Sequence, residues 1–241
     1  MVEALTISQL NKIGERLRKN LGTEDDLRKL DEFRVSFEPA YQQVFAELSR
    51  LGLNPGGRPQ KTTLSIIAKL NRERTRLSKM QDIAGCRVEV ENLIEQDLRV
   101  DQLKDTFSAA IVFDRRVKPS HGYRAVHVVV EIDERSVEIQ IRTALQHSWA
   151  SATEKLADVV DPQIKYGAGP KTLQGMLNEV SGVIAAFEIA EKTYLVARSR
   201  GRHLRLTEAQ LLIMEKDLIT VKDDLRNLCQ ELMINFEELG Q

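Results

Sequence analysis

Between residues 83 and 143 the chain changes its period, and that change limits the possible folds more than any other feature. On either side, apolar residues recur every three or four positions. Inside, β-branched stretches fall at 83–90, 109–117, 124–132 and 136–143. Strands set within a helical chain predict an α/β (α+β) fold, a sheet flanked by helices, with a helical extension after it. The last two strands are joined by Asp133-Glu134-Arg135, which suggests a hairpin, and residues 91–108 are expected to hold a short helix.

Around this centre, residues 6–21 and 36–50 read as helices with Gly22 and Gly52 near their ends. Asn54-Pro55-Gly56-Gly57-Arg58-Pro59 reads as a loop, and 62–79 as a helix with Leu64, Ile67 and Ala68 on its apolar side. From Ala144 the pattern is helical to the end, broken at 167–170 and 199–202. In the last helix Leu211, Met214, Leu218, Val221, Leu225, Leu228 and Leu232 form a heptad seam, which fits either the chain's own core or a helix-mediated homo-oligomer. The expected organisation is a first domain over 1–165 and a helical extension over 166–241.

The 241 residues carry 42% apolar and 29% charged side chains, the balance of a globular protein and not a disordered one. A formal net charge of −1 gives no global case for nucleic acid or an acidic membrane, so any anion-binding surface must be local. The start, MVEALTISQLNKIGERL, does not read as a signal peptide, and no run approaches the roughly 18 apolar residues of a membrane span. A cytoplasmic location is expected. Cys86 and Cys229 have no CxxC partner and read as buried free thiols.

Residues 55–90 hold eight Lys or Arg against three Asp or Glu. A charge run is ordinarily a solvated face. Here, however, Lys61 stands just ahead of a helix whose first turn has Thr62, Thr63 and Ser65, and a helix N-terminus attracts phosphate. Lys69 lies one turn beyond Ser65, with Arg72 and Arg76 continuing the stripe. No GxxxxGK[ST] occurs, so this is not a Walker loop.

Strict alternation over 137–142 sets Val137, Ile139 and Ile141 against Glu138, Gln140 and Arg142. The strand before it places Tyr123, Ala125 and His127 on one side. If the apolar faces share a core, Tyr123, His127, Glu138, Gln140 and Arg142 share a ligand-facing surface. Asp82 opens another strand and, paired with Glu138, offers two hard oxygen ligands. Mg²⁺ is commonly held by one or two carboxylates plus substrate phosphates. Basic groups beside paired carboxylates point to metal-dependent phosphoryl-type transfer. No zinc-spaced His/Cys set, GxSxG or HExxH is present.

These residues resemble the synthetase domain of the RelA/SpoT family over roughly residues 40–165. The likeness rests on Arg58 and Lys61 ahead of Ser65-Ile66 and Lys69, and on Gln81-Asp82-Ile83-Ala84-Gly85-Cys86-Arg87. It continues in His121-Gly122-Tyr123-Arg124-Ala125-Val126-His127, in Glu138-Ile139-Gln140-Ile141-Arg142-Thr143, and in Gln146 and Trp149-Ala150. The resemblance implies a nucleotidyltransferase-like mixed sheet that moves the β,γ-pyrophosphate of ATP onto the 3′-hydroxyl of GDP or GTP. It makes Asp82 and Glu138 the Mg²⁺ ligands, with Glu138 also the base at the acceptor hydroxyl. Arg58 and Arg87 would sandwich adenine, while Lys61, Ser65 and Lys69 contact the triphosphate. Tyr123 would stack guanine, and His127 would contact the acceptor phosphate or orient it. Lys118, Gln140 and Arg142 would complete the acceptor pocket. Arg58-Pro59-Gln60-Lys61 has one residue more than the family's Arg-Pro-Lys, and Lys118 lies five residues before Tyr123 where a family lysine often lies four before.

No His-Asp dipeptide of the family's hydrolase domain occurs, so a small stand-alone synthetase is expected, its C-terminal helices able to build oligomers. A toxin-type relative that pyrophosphorylates the CCA end of tRNA is the alternative, with Arg198-Arg200-Arg202-His203-Arg205 as a local phosphate patch. A non-catalytic nucleotide-binding protein is the third reading.

Overall fold

The computed structural model describes residues 5–199 and 207–239. Its elements run α1 (Ile7–Arg18), α2 (Glu24–Val35), α3 (Glu38–Arg50), β1 (Gly56–Arg58), α4 (Thr63–Glu73), β2 (Ala84–Val90), α5 (Leu93–Thr106) and β3 (Ile111–Asp114). There follow β4 (Val126–Ile132), β5 (Arg135–Thr143), α6 (Ala144–Val159), α7 (Lys171–Ser199) and α8 (Glu208–Leu239). The strands form one five-stranded sheet in the order β1-β2-β5-β4-β3, flanked by helices, as the change of period requires. Asp133 and Glu134, both at positive φ, make the two-residue turn of the β4–β5 hairpin.

Three local readings change. The stretch expected as a loop contains β1, which pairs antiparallel with β2 through Gly56↔Arg87, Gly57↔Cys86 and Arg58↔Gly85. Only glycine allows that approach, because a Cβ on Gly57 would lie 2.3 Å from the Gly85 carbonyl oxygen. Helix α2 has no counterpart in the apolar pattern. It buries one apolar side chain, Leu30, and is held by the Thr23/Asp26 capping box and by ion pairs such as Arg28 with Glu32 (2.7 Å). Helix α4 ends at Glu73, where Arg74 turns left-handed, and it buries Ile66 and Leu70. Leu64, expected on the apolar side, is 80% exposed, and Ala68 is exposed too.

The chain forms two compact units. The first takes the described residues up to Val88, with Lys104–Val112 and Val128–Gln140. In it α1 lies against α2, α4 and a 3-10 turn at Leu77–Lys79, burying Leu10, Ile13 and Leu17. The second takes Glu89–Leu103, Phe113–His127 and the described residues from Ile141 onward. Its core joins Leu145, Trp149 and Leu156 of α6 to Leu177, Ile184 and Phe187 of α7, and to Cys229 of α8. The expected seam of α8 divides here: Leu218, Leu225 and Leu232 pack on that core, whereas Met214, Val221 and Leu228 are exposed. Cys86 and Cys229 are free and buried, and burial pushes their thiols up to about 12 and about 11. Among the described residues no helix is long and apolar enough to cross a membrane.

Candidate active site

In the first unit the site begins at the turn before α4. The Lys61 N–H donates to Ile83 O (2.7 Å), and Arg34 of α2 donates to Lys61 O (2.7 Å) and to Thr63 Oγ1 (3.0 Å). The backbone is thus held from both sides, and the Lys61 ammonium is delivered to Asp82 Oδ2 at 2.6 Å. Lys69, two turns into α4, reaches Asp82 Oδ1 at 2.9 Å. Burial pushes the Asp82 carboxyl up, but the two ammonium groups outweigh it and hold the carboxyl below its ordinary value. Thr62 caps α4, accepting from the Ser65 N–H (3.2 Å) and donating to Ser65 Oγ (2.8 Å).

The β1–β2 register sets Arg58 and Arg87 at diagonal corners of one sheet face, with Gly56 and Gly85 at the other two. Both arginines are exposed, and a Cβ at Gly56 would meet nothing within 4 Å. On β5 the expected alternation holds as far as Ile141: Val137, Ile139 and Ile141 are fully buried and Glu138 and Gln140 half-buried, with Gln140 Nε2 donating to Glu138 Oε2 at 2.8 Å, but Arg142, expected on the open side, is 3% exposed. A Cβ at Gly85 would lie 3.3 Å from the Glu138 carbonyl oxygen, so β2 runs directly beside this part of β5.

Asp82 fits a divalent cation, for it is a half-buried carboxylate whose charge the fold already balances with two ammonium groups. Among the described residues no three or more His, Cys, Asp or Glu cluster as a complete metal cage. A cation held there would need phosphate and water for the rest of its shell, as Mg²⁺ commonly does.

In the second unit three expected residues meet. Tyr123 Oη lies 2.8 Å from His127 Nε2 and accepts from Arg142 at 3.1 Å, and the Arg142 guanidinium stands 5.0 Å from the Tyr123 ring centroid. Tyr123 is not on β4, which begins at Val126. It closes a tight turn, paired with Ser120 across Gly122, where a Cβ would lie 2.8 Å from Leu177 O. Trp149 Nε1 of α6 donates to Gly122 O (3.2 Å), fixing that turn from below. Arg124 points elsewhere, to Ser181 Oγ (2.9 Å) and Arg116 O (2.8 Å). Lys118 is exposed after β3 and makes no hydrogen bond or ion pair with this group. Of the basic patch, Arg198 pairs with Glu215, while Arg200, Arg202, His203 and Arg205 lie outside the described residues. Sequence reasoning missed Arg34 and the paired glycines. The Gly-Gly before Arg58 was the available signal for the second, and nothing marked the first.

Residues 57–157 match the family described as the region found in RelA / SpoT proteins. An uncharacterized protein of Mycobacterium tuberculosis is 38% identical over 133 residues, 52% of this chain and 49% of its own length. The chain therefore spans about half the length of the curated relatives it matches. The small alarmone synthetase 1 of Bacillus subtilis, bound to its product pppGpp, aligns with a TM-score of 0.58 at 22% identity over 73% of this chain and 99% of that one. Small alarmone synthetase 2 of the same organism gives 0.56 at 24% identity over 70% and 98%. At such identities the likeness concerns the fold, and the sheet, its flanking helices and the C-terminal helices agree. The match to the region found in RelA / SpoT proteins spans Arg58, Lys61, Lys69, Asp82, Arg87, Tyr123, His127, Glu138, Gln140 and Arg142, whereas Arg34 and Gly56 lie before it.

Proposed function

We propose that the protein is a (p)ppGpp synthetase that moves the β,γ-pyrophosphate of ATP to the 3′-hydroxyl of GDP or GTP. The observation that carries this reading is Asp82 held between Lys61 and Lys69 inside the RelA/SpoT region, a carboxylate for a cation beside ammonium groups for phosphates. The Arg58–Arg87 diagonal supports an adenine site. Such neighbours are about 7–8 Å apart, which leaves about 3.5 Å on either side of a planar ring, over a floor of two glycines.

In the reaction the acceptor O3′ forms a bond to the β-phosphorus of ATP, the bond from that phosphorus to the α,β-bridging oxygen breaks, and AMP leaves. Mg²⁺ on Asp82 and Glu138 would polarise the acceptor hydroxyl and screen the phosphate charge. Lys61 and Lys69 turn to the triphosphate, with Ser65 at the helix end. Glu138, steadied by Gln140, takes the hydroxyl proton. Tyr123 stacks guanine on the face opposite Arg142, and His127 and Lys118 serve the acceptor phosphates. Residues 1–165 are proposed as the synthetase domain, and the extension over 166–241 as the means of homo-oligomer assembly.

The test is transfer from labelled ATP with Mg²⁺ to GDP, GTP and deacylated tRNA in separate reactions. Label should appear on a guanosine nucleotide and vanish in Glu138→Gln while the fold is kept. Label on tRNA alone, or full rate in Glu138→Gln, overturns the reading.

A further inference from the structure

The second unit contains a buried carboxylate that no step above uses. Glu188 of α7 is 3% exposed and accepts two hydrogen bonds, one from Thr143 Oγ1 and one from Gln146 Nε2 at 3.0 Å. Its partners are themselves buried and joined to others. Gln146 Oε1 accepts from Gln96 Nε2 (2.9 Å), which also donates to Ile141 O (2.7 Å), and Gln96 Oε1 accepts from Arg116 (3.1 Å).

This chain of bonds has one direction. Arg116 can only donate, so Gln96 must turn its oxygen to it and its amide nitrogen onward. Gln146 then presents its own nitrogen to position 188, where the Thr143 hydroxyl also points. Two donors converge on one side chain, and a carboxylate accepts from both, one with each oxygen. Burial pushes the Glu188 carboxyl up, against the pull of those two donors.

Thr143 follows Arg142 directly and caps α6, its Oγ1 accepting from the Gln146 N–H at 3.1 Å. The junction held by Glu188 therefore carries one residue that contacts Tyr123 and one that contacts Gly122 before it. Arg142 reaches the Tyr123 ring and hydroxyl from one side of the junction, and Trp149 of α6 bonds the Gly122 carbonyl from the other.

We propose that Glu188 is a positioning residue for the acceptor side of the site: by terminating this hydrogen-bond chain it locks the β5–α6 junction and so sets Tyr123 for the guanine base. The proposal rests on the functional reading above. It gives α7 a part in acceptor binding, although Glu188 touches no substrate.

The test is Glu188→Gln, which keeps the volume but replaces one acceptor oxygen by an amide N–H₂, so that one of the two donors loses its acceptor. Thr143→Val removes one donor, and Thr143→Ser keeps it. Glu188→Gln and Thr143→Val should each raise the acceptor KM about tenfold, as the loss of one bond to a charged group would, and leave the ATP KM within about twofold. Thr143→Ser should behave as wild type. Trp149 is the protein's one tryptophan, so its emission should move to longer wavelength in Glu188→Gln without nucleotide. Equal rises in both KM values, or a lowered Tm with the acceptor KM unchanged, would overturn the proposal. If the wild type transfers nothing to GDP or GTP, the functional reading fails alone, and the Trp149 comparison still decides the positioning: unshifted emission rejects it.

Discussion

Lys69→Met should change metal and nucleotide binding in opposite directions. Lys61 and Lys69 sit on the carboxylate that a divalent cation needs, so without nucleotide the ammonium groups and the cation compete for Asp82. The Lys69 pair is 2.9 Å long, with side chains 19% and 17% exposed, so solvent screens it little. An ion pair at about 4 Å in an effective dielectric near 20 has a Coulomb energy of about 4 kcal/mol. Net hydrogen bonds to charged groups are worth about 1.5–3 kcal/mol. The lower end of that range, at about 1.4 kcal/mol per factor of ten, predicts Mn²⁺ binding to the nucleotide-free variant about tenfold tighter than to wild type. The triphosphate loses a cation at the same time, so a non-hydrolysable ATP analogue should bind about tenfold more weakly. Mn²⁺ titration followed by electron paramagnetic resonance reads the first quantity, and calorimetry with the analogue reads the second. Unchanged Mn²⁺ affinity, or both affinities falling together, would refute the competition.

Two further outcomes follow from the geometry. Gly56→Val places a branched side chain between Arg58 and Arg87 where a Cβ meets nothing within 4 Å; the Tm should stay near wild type while the ATP analogue binds at least about tenfold more weakly, and unchanged affinity rejects the base slot. The exposed row Met214, Val221 and Leu228 predicts assembly through α8, so light scattering should give a multiple of 27.4 kDa for wild type and a smaller mass for Val221→Glu; a wild type at 27.4 kDa rejects it.

The strands were legible because alternation along 137–141 reports burial directly, one residue in and the next out, and it breaks only at Arg142, which is buried like its neighbours. Helix α2 was not, since it buries a single Leu and owes its place to charges and a capping box, which leave no apolar period. In α4 the stripe was set one position off because Leu64 is apolar yet faces solvent, and the cap at Thr62 defines the rotation of the helix. The α8 seam was read correctly as a seam, but a heptad pattern does not distinguish the chain's own core from a partner, and this helix packs only half of it inward. For the site, the sequence sets Lys61 and Lys69 aside for phosphate and Asp82 beside Glu138 for a metal, and nothing in it marks the ion pairs that join both lysines to Asp82. Tyr123 could be singled out, but its companions depended on a turn at Gly122 that no periodicity encodes.

A hydrogen-bond chain with one direction also constrains descent. Substituting Glu188 alone strands at least one donor, and reversing Gln146 to suit a new residue strands Gln96 against Arg116. Positions 96, 116, 146 and 188 are therefore expected to vary as a set among related chains, with a polar donor at 188 appearing only where 116 has lost its guanidinium. A lineage can cross between the two arrangements through intermediates that bury an unmatched donor, which is why the set should be inherited more faithfully than the exposed residues around it.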